Sequence, residues 1–182
     1  LFVSFSDLRQ HALSISPQEG VSGFFNLAFR EPALGGDASV FTFTFVTRAY
    51  VPLGRGHTLS FRLGGGLSGG DPSARSVFAL GGVPSQDLLT DILNQTAAGA
   101  VWLRGFEESA LQGTRFGMLT SEWRFPLLRV RQGLGTLPFF FEDLTAAVFS
   151  DIGTASYDAG LDDDLVGGLG VELRFRLELW YE

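Results

Sequence analysis

The sequence predicts an all-β protein: an antiparallel transmembrane β-barrel region of about seven to eight strands with one long loop. Three observations predict it. Apolar and polar residues alternate with period two in run after run, as in strands whose side chains point to opposite faces. Each run lasts about 9 to 13 residues, a length that crosses a bilayer at a tilt, whereas soluble strands average about 5 to 6. The apolar faces are uniformly large, Phe and Leu above all, while the polar faces carry Arg and Glu in mid-strand.

Taken in order, Phe2 and Phe5 mark a weak segment, the tail of a strand. Val21, Phe25, Leu27 and Phe29 then share a face opposite Ser22, Asn26 and Arg30. Residues 32–37 are rich in Gly, Pro and Asp and read as a turn. Phe41, Phe43 and Phe45 oppose Thr42, Thr44 and Arg48 in the run 40–51. Residues 52–56, Pro-Leu-Gly-Arg-Gly, turn the chain into Leu59, Phe61 and Leu63, opposite Ser60 and Arg62. Residues 65–115 lack clean alternation and form the long loop; a helical turn or two fits 86–94. A structureless connection of that length argues for a functional loop. Leu119, Trp123, Phe125 and Leu127 oppose Thr120, Glu122 and Arg124. After a turn at 131–135, residues 139–151 form a sixth strand, and 158–164 form an acidic turn. The clearest run is 165–181. There Leu165, Leu169, Val171, Leu173, Phe175, Leu177 and Leu179 oppose Glu172, Arg174, Arg176 and Glu178.

Composition narrows the functional classes. A chain of 182 residues, 45% hydrophobic and 18% charged, holds one domain with a core and is not disordered. Its 24 Gly and 18 Phe suit strands and tight turns. No apolar run reaches the roughly 18 residues of a membrane helix, which leaves a strand-built barrel open. Cysteine is absent, so no disulfide, thiolate nucleophile or Cys-ligated metal forms within the chain. All 13 basic residues are arginine, which removes the phosphate-loop and Schiff-base lysines. A net charge of -7 with no basic cluster makes nucleic acid a poor partner. The first residue is Leu1 rather than Met, and the last run stops in mid-alternation, so the chain reads as an excerpt.

Alternation fits a soluble sandwich as well, with the charged face turned to water. The run lengths, the large apolar faces and the mid-strand charges favour the membrane barrel, with Arg48, Arg62, Glu122, Arg124, Arg174 and Arg176 lining a wet or salt-bridged lumen.

The long segment narrows the reading further. It contains Phe78-Ala79-Leu80-Gly81-Gly82 and then Leu103-Arg104-Gly105-Phe106-Glu107. The strand Glu122-Trp123-Arg124-Phe125-Pro126 follows, and then Phe149-Ser150-Asp151-Ile152-Gly153. In this order the four elements resemble the barrel of the outer-membrane-protein-85 superfamily, the BamA- and TamA-like bacterial surface antigens, from about residue 20 onward. The resemblance implies that the loop folds back into the lumen and that a lock formed by Leu103, Arg104, Gly105, Phe106, Glu122, Phe149, Asp151 and Gly153 holds it there. An arginine in a partly desolvated lumen requires a partner. Asp151 and Glu122 offer carboxylates, Phe149 offers a ring face for the guanidinium, and Gly105 allows a sharp turn. The competing reading is a surface turn whose arginine meets water. A full barrel of this kind has about sixteen strands, so the chain corresponds to its C-terminal portion.

Other constellations carry less. His11 and His57 lack the setting of a catalytic triad, and His57 reads as a turn or interface residue. Asp162, Asp163 and Asp164 lack the spaced ligands of a calcium loop and read as a solvated turn, with lipopolysaccharide contact through bridging cations as a further reading. The glycines of 64–70 lack a phosphate-loop ending, and Asn94-Gln95-Thr96 matches a glycosylation acceptor, a common chance pattern. Trp102, Trp123, Trp180 and Tyr181 suit interfacial aromatic girdles.

Three functions therefore stand at this stage. The first is a non-enzymatic outer-membrane barrel that inserts outer-membrane proteins or translocates a secreted polypeptide, in contact with outer-membrane lipid and lipopolysaccharide. The second is an anchor barrel for a fused propeller or lipase-like domain. The third is a soluble all-β binding module. No cofactor or metal is expected for any of them.

Overall fold

The computed structural model describes residues 1–9, 17–82, 103–133, 139–157 and 165–179. The expectations for His11, the helical turn at 86–94, the Asn94 motif, Trp102, Asp162–Asp164, Trp180 and Tyr181 lie outside these residues.

Among the described residues nine strands form: β1 (Phe2–Arg9), β2 (Glu19–Arg30), β3 (Val40–Gly54), β4 (His57–Gly70), β5 (Phe78–Leu80), β6 (Leu111–Gly113), β7 (Arg115–Gly133), β8 (Phe139–Ser156) and β9 (Val166–Leu179). Seven of them build one antiparallel sheet in the order β1-β2-β3-β4-β7-β8-β9, and β5 pairs with β6 as a separate hairpin. The molecule is all-β and forms part of a barrel wall, with β1 and β9 as the outer strands of the sheet. No helix among the described residues is long and apolar enough to cross a membrane, which says nothing about strands.

The weak Phe2–Phe5 segment is a full strand, paired along its length with β2. β7 and β8, at 19 and 18 residues, outrun the alternating segments that announced them. β4 also continues through 65–70, which the sequence assigned to the loop. Three successive glycines, Gly64, Gly65 and Gly66, erase the alternation there, but backbone pairing with β3 carries the strand on. The loop therefore begins after Gly70, and the β5–β6 hairpin gives it structure.

Turn chemistry fixes the strand joints. Arg55 and Gly56 both take positive φ, 53° and 84°, the conformation a two-residue hairpin turn requires. Pro126 has no N–H for the ladder, and the register of β7 against β8 shifts between Pro126 and Leu128.

Register settles the faces. Arg48 opposes Arg62, Arg62 opposes Thr120, Thr120 opposes Asp151, and Asp151 opposes Gly168, so one polar row crosses five strands. The neighbouring row on the other face is apolar: Leu63 opposes Leu119, and Leu119 opposes Ile152. The burial of the two faces is the reverse of a soluble sheet. Val171 is 70% and Phe175 62% exposed, whereas Glu122 is 5% and Asp151 1% exposed. Exposed Phe25, Phe61, Leu63, Leu119 and Trp123 extend the same apolar surface. A face of this breadth suits hydrocarbon rather than water. Phe5, Phe25 and Phe45 stack across it, at 6.4 and 6.3 Å between ring centroids. The Phe45 ring then lies over Gly65, where a Cβ would come within 2.7 Å of it. That ring covers the backbone where β4 lacks side chains.

A test follows from this polarity. Leu63→Arg, at mid-strand on the apolar face, should cost about 2–4 kcal/mol in denaturant titrations of protein folded into lipid vesicles. Phe29→Arg, near a strand end, should cost about 0–1 kcal/mol. Equal costs at the two depths would remove the lipid-facing assignment.

Candidate functional site

The site is built where the long loop returns onto the polar inner wall. After β4, Asp71 closes a turn in which the Ser73 amide and hydroxyl both donate to its carboxylate, at 3.0 and 2.8 Å. The backbone hydrogen bond first, and then the hydroxyl, hold that carboxyl below its usual range. The β5–β6 hairpin then lies against the inner side of β7 and β8. Phe78, Leu80, Phe116, Met118 and Ala155 form a buried apolar cluster there, with Leu111 packed against it. The Phe78 and Phe116 rings sit 4.8 Å apart.

This cluster sets the depth of the motif. Leu80 and Leu103 are both fully buried. A Cβ added at Gly153 would lie 3.2 Å from each of their side chains. The missing side chain of Gly153 is therefore the recess that admits Leu103. Gly105, at φ 91°, turns the chain at the tip. The Phe106 amide donates to the Leu103 carbonyl at 3.4 Å, and the Gly82 amide donates to the Phe106 carbonyl at 3.1 Å. Gly81 faces the Glu107 carbonyl at a separation that leaves no space for a Cβ. The two glycine-bearing motifs of the loop thus close on each other.

Arg104 points from this tip into the wall. Its Nε and NH2 donate to the two oxygens of Asp151 at 2.8 and 3.1 Å, a bidentate pair, and its backbone N–H donates to the same carboxylate at 3.2 Å. Its NH1 lies 3.6 Å from Glu122 and donates to Glu172 at 3.2 Å. The guanidinium carbon sits 3.4 Å from the centroid of the Phe149 ring. Burial opposes the charge of Arg104. The Asp151 hydrogen bond and the charges of Asp151, Glu122 and Glu172 outweigh it and hold the group above its ordinary range.

The pairings continue along the wall. Arg124 Nε donates to Glu122 at 2.6 Å. Arg174 NH2 lies 2.9 Å from Glu122, and Arg174 donates to both oxygens of Glu172 at 2.7 and 3.0 Å. A cavity of about 570 Å³ opens beside this network, lined in part by Arg48, Tyr50, Arg62 and Thr120.

All eight residues of the expected lock meet at this site. Glu172 and Arg174 were placed on a polar face by the sequence but not joined to Arg104; their period-two spacing after Gly168 and Gly170 was the available signal. His57 stands apart at the start of β4, against Trp123 and Phe125 at 5.8 and 5.9 Å.

Two outcomes test the geometry. Arg104→Ala strands the buried Asp151 and should cost about 3–5 kcal/mol of loop docking, seen as faster proteolysis in the loop. Gly153→Val should expel the loop through Leu103 while leaving every charge in place; unchanged proteolysis would show that the recess is not required.

A family model for the Omp85 superfamily domain matches residues 7–178. No curated protein matches the chain.

Proposed function

The chain belongs to the Omp85 superfamily, whose members act generally in outer-membrane assembly and translocation, and from that premise we propose that it is the barrel wall of a machine that inserts outer-membrane proteins or passes a polypeptide. The observation that carries this reading is Arg104, held by Asp151, Glu122 and Glu172 on the inner side of a sheet whose outer side is apolar. A loop fixed inside a lumen by charge pairs suits a device that couples the lumen to the wall.

The work is mechanical rather than covalent. Arg104, Glu122 and Asp151 act as structural regulators, bracing β7, β8 and β9 against one another through the loop. The outer face meets outer-membrane lipid and lipopolysaccharide. Family membership implies a weak lateral seam in the complete barrel, where an open strand edge would offer backbone N–H and C=O groups and template an incoming segment.

The experiment uses the full-length protein reconstituted in lipid vesicles. It should accelerate the folding of an unfolded outer-membrane barrel, or pass a secreted polypeptide into the vesicle. Arg104→Ala should reduce that activity by roughly tenfold or more, matching the lost charge pair. Absence of both activities in the wild-type protein would favour an anchor barrel.

A further inference from the structure

Two strands, β7 and β8, supply the carboxylates that the sequence pairs with Arg104. The structure adds a third wall. β9 presents Gly168, Gly170, Glu172 and Arg174 to the same inner face, in register with Asp151, Phe149, Ala147 and Thr145 of β8. Each of the first three meets the loop tip or its ring platform differently.

At Gly168 an added Cβ would stand 2.8 Å from the Arg104 carbonyl oxygen and 3.6 Å from the Phe106 ring. The loop backbone therefore rests directly on β9. At Gly170 the missing side chain is replaced by the Phe149 ring, the same ring that lies under the Arg104 guanidinium. Glu172 then accepts from Arg104 NH1 at 3.2 Å while accepting from Arg174 at 2.7 and 3.0 Å. Arg174 in turn reaches Glu122 at 2.9 Å. Shape and charge on one strand thus converge on one arginine.

We infer that β9 is a docking wall for the loop, with Glu172 as its positioning residue, so that seating of the loop tip depends on β9 being paired with β8. The inference rests on the docked-loop reading above and extends it to a third strand of the wall. Asp151 supplies most of the hold, because it is buried and bidentate. Glu172 is 37% exposed and contributes less, but it fixes the guanidinium toward β9. Unpairing β9 from β8 would remove the Gly168 support, the Gly170 platform and Glu172 together.

The test places a spin label at Glu108→Cys, an exposed loop position, in the full-length protein in detergent micelles, with any cysteine outside this sequence replaced by serine. Glu172→Gln should raise the mobile fraction of the label roughly three- to tenfold, the range for a partly exposed charged hydrogen bond. Glu172→Asp should restore part of the immobilisation. Gly168→Val should mobilise the label by pushing on the Arg104 carbonyl. The heat-induced gel shift of the barrel should stay unchanged in all three. A label that stays immobile in Glu172→Gln but is freed by Asp151→Asn overturns the role of β9 and leaves the docked loop intact. A label freed by neither variant overturns the docked loop itself. A mobile label accompanied by loss of the barrel's gel shift marks Glu172 as structural and overturns the positioning role.

Discussion

The inner wall is organised by one buried carboxylate. Asp151 is 1% exposed, and a charge in that position is tolerated only with a close, hydrogen-bonded partner. Arg104 provides three N–H donors to it, two from the guanidinium and one from the backbone. A loop residue thereby becomes part of the wall, and the position of the loop follows from electrostatics. Apolar packing completes the fit: Leu103 and Leu80 fill the recess at Gly153, so the arginine arrives at a fixed depth. Charge alone would tolerate sliding along the wall, and packing alone would tolerate rotation of the tip. Together they select one arrangement.

The two faces of the sheet divide this work. The outer face gains its order from side-chain area, with Phe rings stacked across strands and covering glycines. The inner face gains its order from paired charges in a concave space where solvent is partly excluded. Period-two alternation is what lets one strand serve both environments, since away from the register shifts neighbouring residues point to opposite faces. Glu122 and Trp123 illustrate it: one is buried in the charge network, and the other is exposed on the apolar surface.

Much of this was legible in the sequence, for physical reasons. Strands announce themselves where alternation is strong, as in β2, β3 and β9. The residues around Arg104 were legible through the resemblance carried by four motifs in order, and the chemistry of an arginine on a glycine turn facing carboxylates on polar faces agrees with it. Other features were hidden. Gly64–Gly66 gave no pattern, yet β4 runs through them because backbone pairing does not require side chains. The three-residue strands β5 and β6 are too short to show a period. Glu172 was visible on a polar face, but its place beside Arg104 depends on cross-strand register. That register shifts at Pro52/Gly54, at two places along β7–β8 and at Phe141/Asp143, and alternation within one strand cannot report such shifts.

The distribution of charge grades how firmly each part of the arrangement is held. Arg104 is shared among Asp151, Glu122 and Glu172, and Arg174 is shared between Glu122 and Glu172. Loss of Glu172 leaves Arg104 with Asp151 and Glu122 and leaves Arg174 with Glu122, so neither charge is stranded. The contacts are also unequal. Asp151 lies deep in the wall on β8, whereas Glu172 lies on β9, half in solvent, where screening weakens it. A disturbance that starts at β9 therefore meets the weakest link first and the buried pair last. The loop is held most firmly by the buried pair on β8 and less firmly by the more exposed contact on β9, and that gradient follows from burial.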